Sequence, residues 1–186
     1  LNSRKYYPNY FDHNDQLVDV TIDWLNRIQR VDGSWYTGNI SLAHKINGAM
    51  KILTGLKIVD EPIPNPEKLT DLCLGTINDE QACDNFNVVY VLYNCAKQLE
   101  FSYRKKEIEE FCIDRLKKYT KYYHPDIGGF SFYPNKSNIY YYGARITKGL
   151  NEPDIHGTLM FVWGISLISR ILDIEKDIGI VKSFDP

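Results

Sequence analysis

The sequence predicts an all-α protein assembled from αα-hairpins, and three observations predict it. Apolar residues recur at helical spacing in six separate segments. Those segments alternate between ones with a strong polar face and ones that are apolar over most of their surface. Strand-type alternation is confined to one short stretch, Gly129-Phe130-Ser131-Phe132-Tyr133.

Taken in order, the first helix is expected from about Asn14 to Gln29, with Leu17, Val20, Trp24, Leu25 and Ile28 on one stripe. The second starts at Ser41, a good cap residue, and runs through Ile46, Met50 and Leu53. Pro62, Pro64 and Pro66 then interrupt helical geometry, because each lacks a donor and restricts its predecessor. A short third helix spans roughly Pro66 to Gly75, with proline at an early position where it is tolerated. The fourth, about Cys83 to Leu99, carries Phe86, Val89, Tyr90, Leu92, Tyr93 and Ala96. The fifth, Arg104 to Tyr123, sets Ile108, Phe111, Cys112, Leu116 and Tyr119 against a Lys/Glu face. The sixth, Asp154 to Leu172, is apolar nearly all round and is therefore expected to be enclosed by other protein. Outer amphipathic helices alternating with inner ones make three hairpins.

Length and composition bound the functions. The chain of 186 residues fits a single domain, 1–186, with a core of its own. A formal charge of -2 offers no basic surface, so nucleic acid is not an expected partner. The most apolar stretch, Ile155–Leu172, is too short and too interrupted for an integral membrane segment. No signal-peptide order appears at the N-terminus, and the first residue is Leu1, which reads as a fragment or a processed product. Cysteines at 73, 83, 95 and 112 form no Cys-x-x-Cys pair, and spacings of 10, 12 and 17 fit no zinc signature. They are read as reduced core thiols, which favours a reducing, cytoplasmic setting.

One motif stands out. Trp24-Leu25-Asn26-Arg27-Ile28-Gln29-Arg30-Val31-Asp32-Gly33-Ser34-Trp35 places an aromatic and an aliphatic residue, then Gln, Gly and Trp at fixed intervals. Gly33 would supply a backbone conformation other residues resist, and Trp35 would fold back over apolar surface. Gln29 and Trp35 could thus tie one helix end to the next hairpin. A worn second copy follows 95 residues later, with Tyr119, His124, Gly128 and Phe130 in the corresponding places. Two hairpins of about 47 residues each fill that interval. Asn47, Asn87 and His156 sit at comparable points of the inner helices, 40 and 69 residues apart. The excess of 29 is the loop from about His124 to Glu152.

The motif resembles the Gln-Trp repeat of the terpenoid cyclases and protein prenyltransferase β-subunits. That resemblance implies an α/α toroid, here a partial one of three hairpins. It also implies an isoprenoid or other apolar small molecule as ligand. In that family the repeat is structural and carries no catalysis. The catalytic motifs are not matched. Asp-x-Asp-Asp and Asp-Asp-x-x-Asp are both absent, Asp79, Glu80 and Asp84 being the nearest approach. Where the prenyltransferase zinc site has Asp and Cys, this chain has Asp32 and Ser34, although Pro153-Asp154-Ile155-His156-Gly157-Thr158 is similar to the His-bearing segment. Loss of the thiolate removes a soft ligand that zinc site depends on. No motif names a cofactor or a metal. Three hairpins would leave an open arc, closed by a homodimer, by the remainder of a longer chain, or in some other way.

Candidate residues follow from that arc. The N-termini of the inner helices would collect on one rim, bringing His44, Asn47, Asp84, Asn87, Asp154 and His156 around an apolar hollow. Asp154 and His156 are the candidates for acid–base catalysis. Against this, Asp84 and Asp154 are also good N-caps, and His156 could simply bond a neighbouring loop. In the long loop, Tyr140, Tyr141 and Tyr142 could line a pocket, with Arg145 for an anionic group. Asp126 is read as a turn residue before Gly128. Three functional readings stay open: a terpenoid-cyclase-like enzyme, a non-catalytic helical-repeat binding module, and a lyase-like carbohydrate-active toroid using Tyr140, His156 and Arg145.

Overall fold

The computed structural model describes residues 15–75 and 79–179. Among them lie six α-helices: α1 (Asp15–Ile28), α2 (Leu42–Val59), α3 (Pro66–Leu74), α4 (Ala82–Gln98), α5 (Lys105–Tyr119) and α6 (Ile155–Ile171). A 3-10 turn, Thr120–Tyr122, extends α5, and a two-stranded ribbon, β1 (Tyr140–Tyr141) with β2 (Ala144–Arg145), lies in the long loop. The protein is mostly helical, as expected. Asn14, at the predicted start of the first helix, lies outside the described residues.

Local chemistry sets the helix ends. Ser41 caps α2, its hydroxyl accepting from the His44 N–H. The helix closes through Asp60 in the left-handed region, with the Glu61 N–H donating to Leu56 O. Pro66 opens α3 at the position where its missing donor is harmless. Asp154 caps α6.

The architecture centres on α4, which packs against α2, α3 and α6. Every residue from Asn85 to Tyr93 is buried, more than two full turns and hence every face. Phe86 stacks on Trp163 at 4.7 Å between ring centroids, joining α4 to α6. Tyr119 and Tyr122, from the end of α5, meet Phe161 of α6 at 4.7 and 4.6 Å. Gly164 gives the Tyr119 ring its room, since a Cβ there would lie 3.2 Å from the hydroxyl.

Three expectations need correction. The helix buried on all sides is α4, whereas α6 leaves Ile155, Leu159 and Val162 exposed in a single stripe. Periodicity counts apolar residues but does not tell how many neighbours a helix has. Likewise the stripe on α1 does not face a core: Leu17, Val20 and Trp24 are exposed, Trp24 by 51%, and only Leu25 packs inward. The stretch Gly129–Tyr133 is no strand. Phe130 forms a single bridge with Tyr123, and the actual strands lie further along the loop.

The Gln-Gly-Trp turn does what its residues suggest. Gln29 Nε2 donates to Gly33 O and to Pro64 O, both at 2.8 Å, while its Oε1 accepts from Asn65 Nδ2 at 2.6 Å. The end of α1 is thereby tied to the start of α3. Trp35 is buried and its indole N–H donates to Leu25 O at 2.8 Å. Gly33 has φ +79 and sits so close to Lys68 and Leu69 that a Cβ would meet atoms at 3.0–3.2 Å. At the second copy Gly128 is again left-handed, and Phe130 N–H donates to Thr158 Oγ1 in the first turn of α6.

Candidate functional site

The site is built from the loop that follows α5 and from the first turns of α4 and α6. After the turn at Gly128 and Gly129, Phe130–Phe132 crosses directly over Gly157. A Cβ on Gly157 would lie 2.5 Å from the Ser131 carbonyl carbon and 2.6 Å from Phe132 N, so glycine is required for this crossing. Phe132 O then accepts from Ala82 N–H at 2.9 Å, pinning the same segment to the start of α4.

Asp154 organises what comes next. One carboxylate oxygen accepts from Gly157 N–H at 2.8 Å, the N-cap bond of α6. The other accepts from Phe132 N–H at 2.8 Å and Asn138 N–H at 3.1 Å. A side chain only 7% exposed thus fixes three backbone segments. Asn138 is held further through its carbonyl, which accepts from Thr147 Oγ1 at 2.7 Å.

Beyond Asn138 the chain rises into the ribbon. Tyr140 pairs with Arg145 and Tyr141 with Ala144, leaving Tyr142 and Gly143 as a two-residue turn. Both turn residues have positive φ, +47 and +83, the pattern of a type I′ hairpin. That turn ordinarily prefers Asn before Gly; a tyrosine there adopts a strained backbone. Tyr142 occupies it 93% exposed.

These elements enclose an open cleft of about 250 Å³, lined by Gln81, Phe132, Tyr133, Asn138, Tyr140, Tyr141, Tyr142 and His156. His156, in the first turn of α6, stacks on Phe132 at 4.6 Å and meets Tyr141 edge-on at 4.9 Å. Asn138 Nδ2 lies 3.4 Å from its Nδ1, and Cys83 Sγ lies 3.5 Å from its Nε2. Burial lowers the imidazole below its ordinary pKa, with the Asp154 charge opposing that shift. Burial also pushes the Cys83 thiol up to about 11, helped by Asp84.

The sequence candidates are distributed unevenly. Tyr140, Tyr142 and His156 meet in the cleft. Asp154 stands beside it with its oxygens occupied by backbone N–H groups. Arg145 turns its guanidinium to Thr147 O at 3.3 Å and does not line the cleft. His44 is exposed and bonds Ser41 Oγ at 2.7 Å, Asn47 is half-buried on α2, and Asn87 is buried in α4. Asp84 is half-buried in the first turn of α4. None of these four lines the cleft. Asp32 anchors its own turn through Ser34 Oγ at 2.7 Å and pairs with Lys45 at 2.8 Å.

Sequence reasoning missed Gln81, Asn138 and Cys83. The reading of all four cysteines as core thiols holds for Cys73, Cys95 and Cys112, which are buried, but Cys83 is half-buried against His156. Its signal was faint: position two of a helix, facing a histidine 73 residues away. Among the described residues no three His, Cys, Asp or Glu side chains converge on a metal position. None of the described helices is long and apolar enough to cross a membrane. No known protein family, curated protein or solved structure matches the chain.

Proposed function

We propose that this protein is a helical-repeat binding module of the partial α/α-toroid type, whose tyrosine cleft takes a neutral, hydroxyl-rich ring such as a sugar residue of a glycan. What supports that architecture is the packing of α4 on α3, on α2 and on α6, and of α5 on α6. The observation that carries the binding reading is Tyr142, a large aromatic kept in a strained turn position and almost wholly exposed. Folding gains from that arrangement one edge-on contact with Tyr141 at 4.6 Å, little against the exposed ring and strained turn, so a bound partner is the natural account of it.

The lining selects the ligand chemistry. Flat aromatic faces beside the amides of Gln81 and Asn138 suit a ring with one apolar face and hydroxyls at its edge. Neither Lys nor Arg lines the cleft, which disfavours an acidic glycan, and with it the lyase-like use of Arg145. An isoprenoid chain needs an enclosed apolar cavity, whereas this cleft is open and bordered by hydroxyls and amides. Asp154, saturated by three N–H donors, is a framework residue in this reading and no acid catalyst.

Calorimetric titration against neutral oligosaccharides tests the proposal. Saturable binding is expected, weakened about fivefold in Tyr142→Ala, since an aromatic contact contributes on the order of 1 kcal/mol. Binding unchanged in Tyr142→Ala, or confined to long-chain isoprenols, would refute it.

A further inference from the structure

Three side chains from three different elements meet at the edge of this cleft: Cys83 from the first turn of α4, His156 from the first turn of α6 and Asn138 from the loop. We propose that they form a nucleophilic thiol set that removes acyl groups esterified to the cleft's ligand, with Cys83 the nucleophile, His156 the general base and Asn138 the residue that positions the imidazole. This rests on the cleft being a saccharide site, and it names the substrate class as an O-acylated sugar.

The geometry matches what such chemistry needs. Sulfur and Nε2 are 3.5 Å apart, within reach for proton transfer once substrate tightens the site. The other ring nitrogen faces the Asn138 amide at 3.4 Å, and the ring is clamped between Phe132 and Tyr141. With Nδ2 toward the ring, the amide donates to Nδ1 and Nε2 carries the proton. Half a turn of the amide presents its oxygen instead, placing the proton on Nδ1 and freeing Nε2 for the thiol proton. Cys83 is the second residue of α4, where the positive end of the helix dipole favours negative charge on sulfur or on an adjacent carbonyl oxygen. The other three cysteines are buried.

The chemistry balances with water as the only co-reactant. Sulfur attacks the ester carbonyl carbon while its proton passes to Nε2; the C–O bond breaks, and the departing sugar oxygen takes that proton. The thioester on Cys83 then adds water, whose proton goes to Nε2. The C–S bond breaks and sulfur recovers the proton. Ester and water become carboxylic acid and free hydroxyl, with no change in oxidation state. Because burial keeps the resting thiol protonated at neutral pH, attack depends on a base, and burial also keeps His156 neutral and able to serve.

The test uses the full chain and p-nitrophenyl acetate, with peptide mass spectrometry for a hydroxylamine-labile acetyl group on Cys83. Wild type should acylate at Cys83, and His156→Gln should slow this about a hundredfold or more, the ordinary contribution of a general base. Asn138→Leu should also slow it, whereas Asn138→Asp, which returns an acceptor oxygen to Nδ1, should recover most of the rate. No acetyl-Cys83 in wild type, or an equal rate in His156→Gln, would overturn the proposal. The saccharide titration of the wild-type protein judges the binding reading separately. Binding without acylation ends the thiol chemistry alone, and acylation without binding ends the assignment of the substrate.

Discussion

Replacing Asp154 by alanine separates its framework role from any catalytic one. The substitution removes the α6 N-cap, worth about 0.5–2 kcal/mol. It also orphans the N–H groups of Phe132 and Asn138, each buried donor costing about 1–3 kcal/mol when left unpaired. One carboxylate serves all three, so the losses overlap, and roughly 3–6 kcal/mol is expected in total. For a domain of this size that lowers Tm by roughly 10–20 °C. The assay is a thermal melt combined with amide hydrogen exchange. The amides of Phe132, Asn138 and Gly157 should lose protection together, while those of α4 keep theirs relative to the new global stability. Asp154→Asn retains one acceptor oxygen and should fall between the two. A melting temperature within about 2 °C of wild type in Asp154→Ala would refute the reasoning, because so small a shift leaves no room for even one orphaned amide.

Further outcomes follow from the same contacts. Trp35→Ala should destabilise by about 3–5 kcal/mol in denaturant unfolding, since it empties a buried site and removes the indole bond to Leu25 O, whereas exposed Trp24→Gln should change stability by less than about 1 kcal/mol. Gly157→Ala sets a Cβ against backbone atoms that cannot swing aside, so a loss of about 3 kcal/mol or more is expected, with the loop lifted off α6. His156 titrates lower in the folded protein than in the unfolded chain, so the unfolded state binds more protons as pH falls below about 6.5 and stability should drop there. Denaturant midpoints between pH 7 and pH 5 should show that slope in wild type and a shallower one in His156→Gln.

Much of the helical frame is legible in the sequence because its signals are local. Ser41, Pro66 and Asp154 mark helix starts by their own chemistry, and the interval from Gln29 to Trp35 encodes a turn that needs only its neighbours. What surrounds each helix is less legible. The stripe Leu17-Val20-Trp24 specifies an amphipathic face, yet the structure leaves it exposed, and α6 looks more enclosed in composition than it is. The cleft was half visible: consecutive tyrosines before a glycine stood out, and Tyr142-Gly143 could have been read as a hairpin turn. Asn138 and Cys83 were not visible, because their places depend on Asp154 and Gly157 drawing the loop across two helix N-termini. No periodicity reports that.

The most direct test of the binding cleft is an NMR titration with neutral oligosaccharides, following the ring resonances of Tyr140, Tyr141, Tyr142 and His156. The account predicts shifts concentrated on these four rings and on the Asn138 and Gln81 side-chain amides, saturating together with one affinity. Shifts confined to the exposed stripes of α1 or α6, or no shift with any saccharide while an isoprenol perturbs the core, would contradict it.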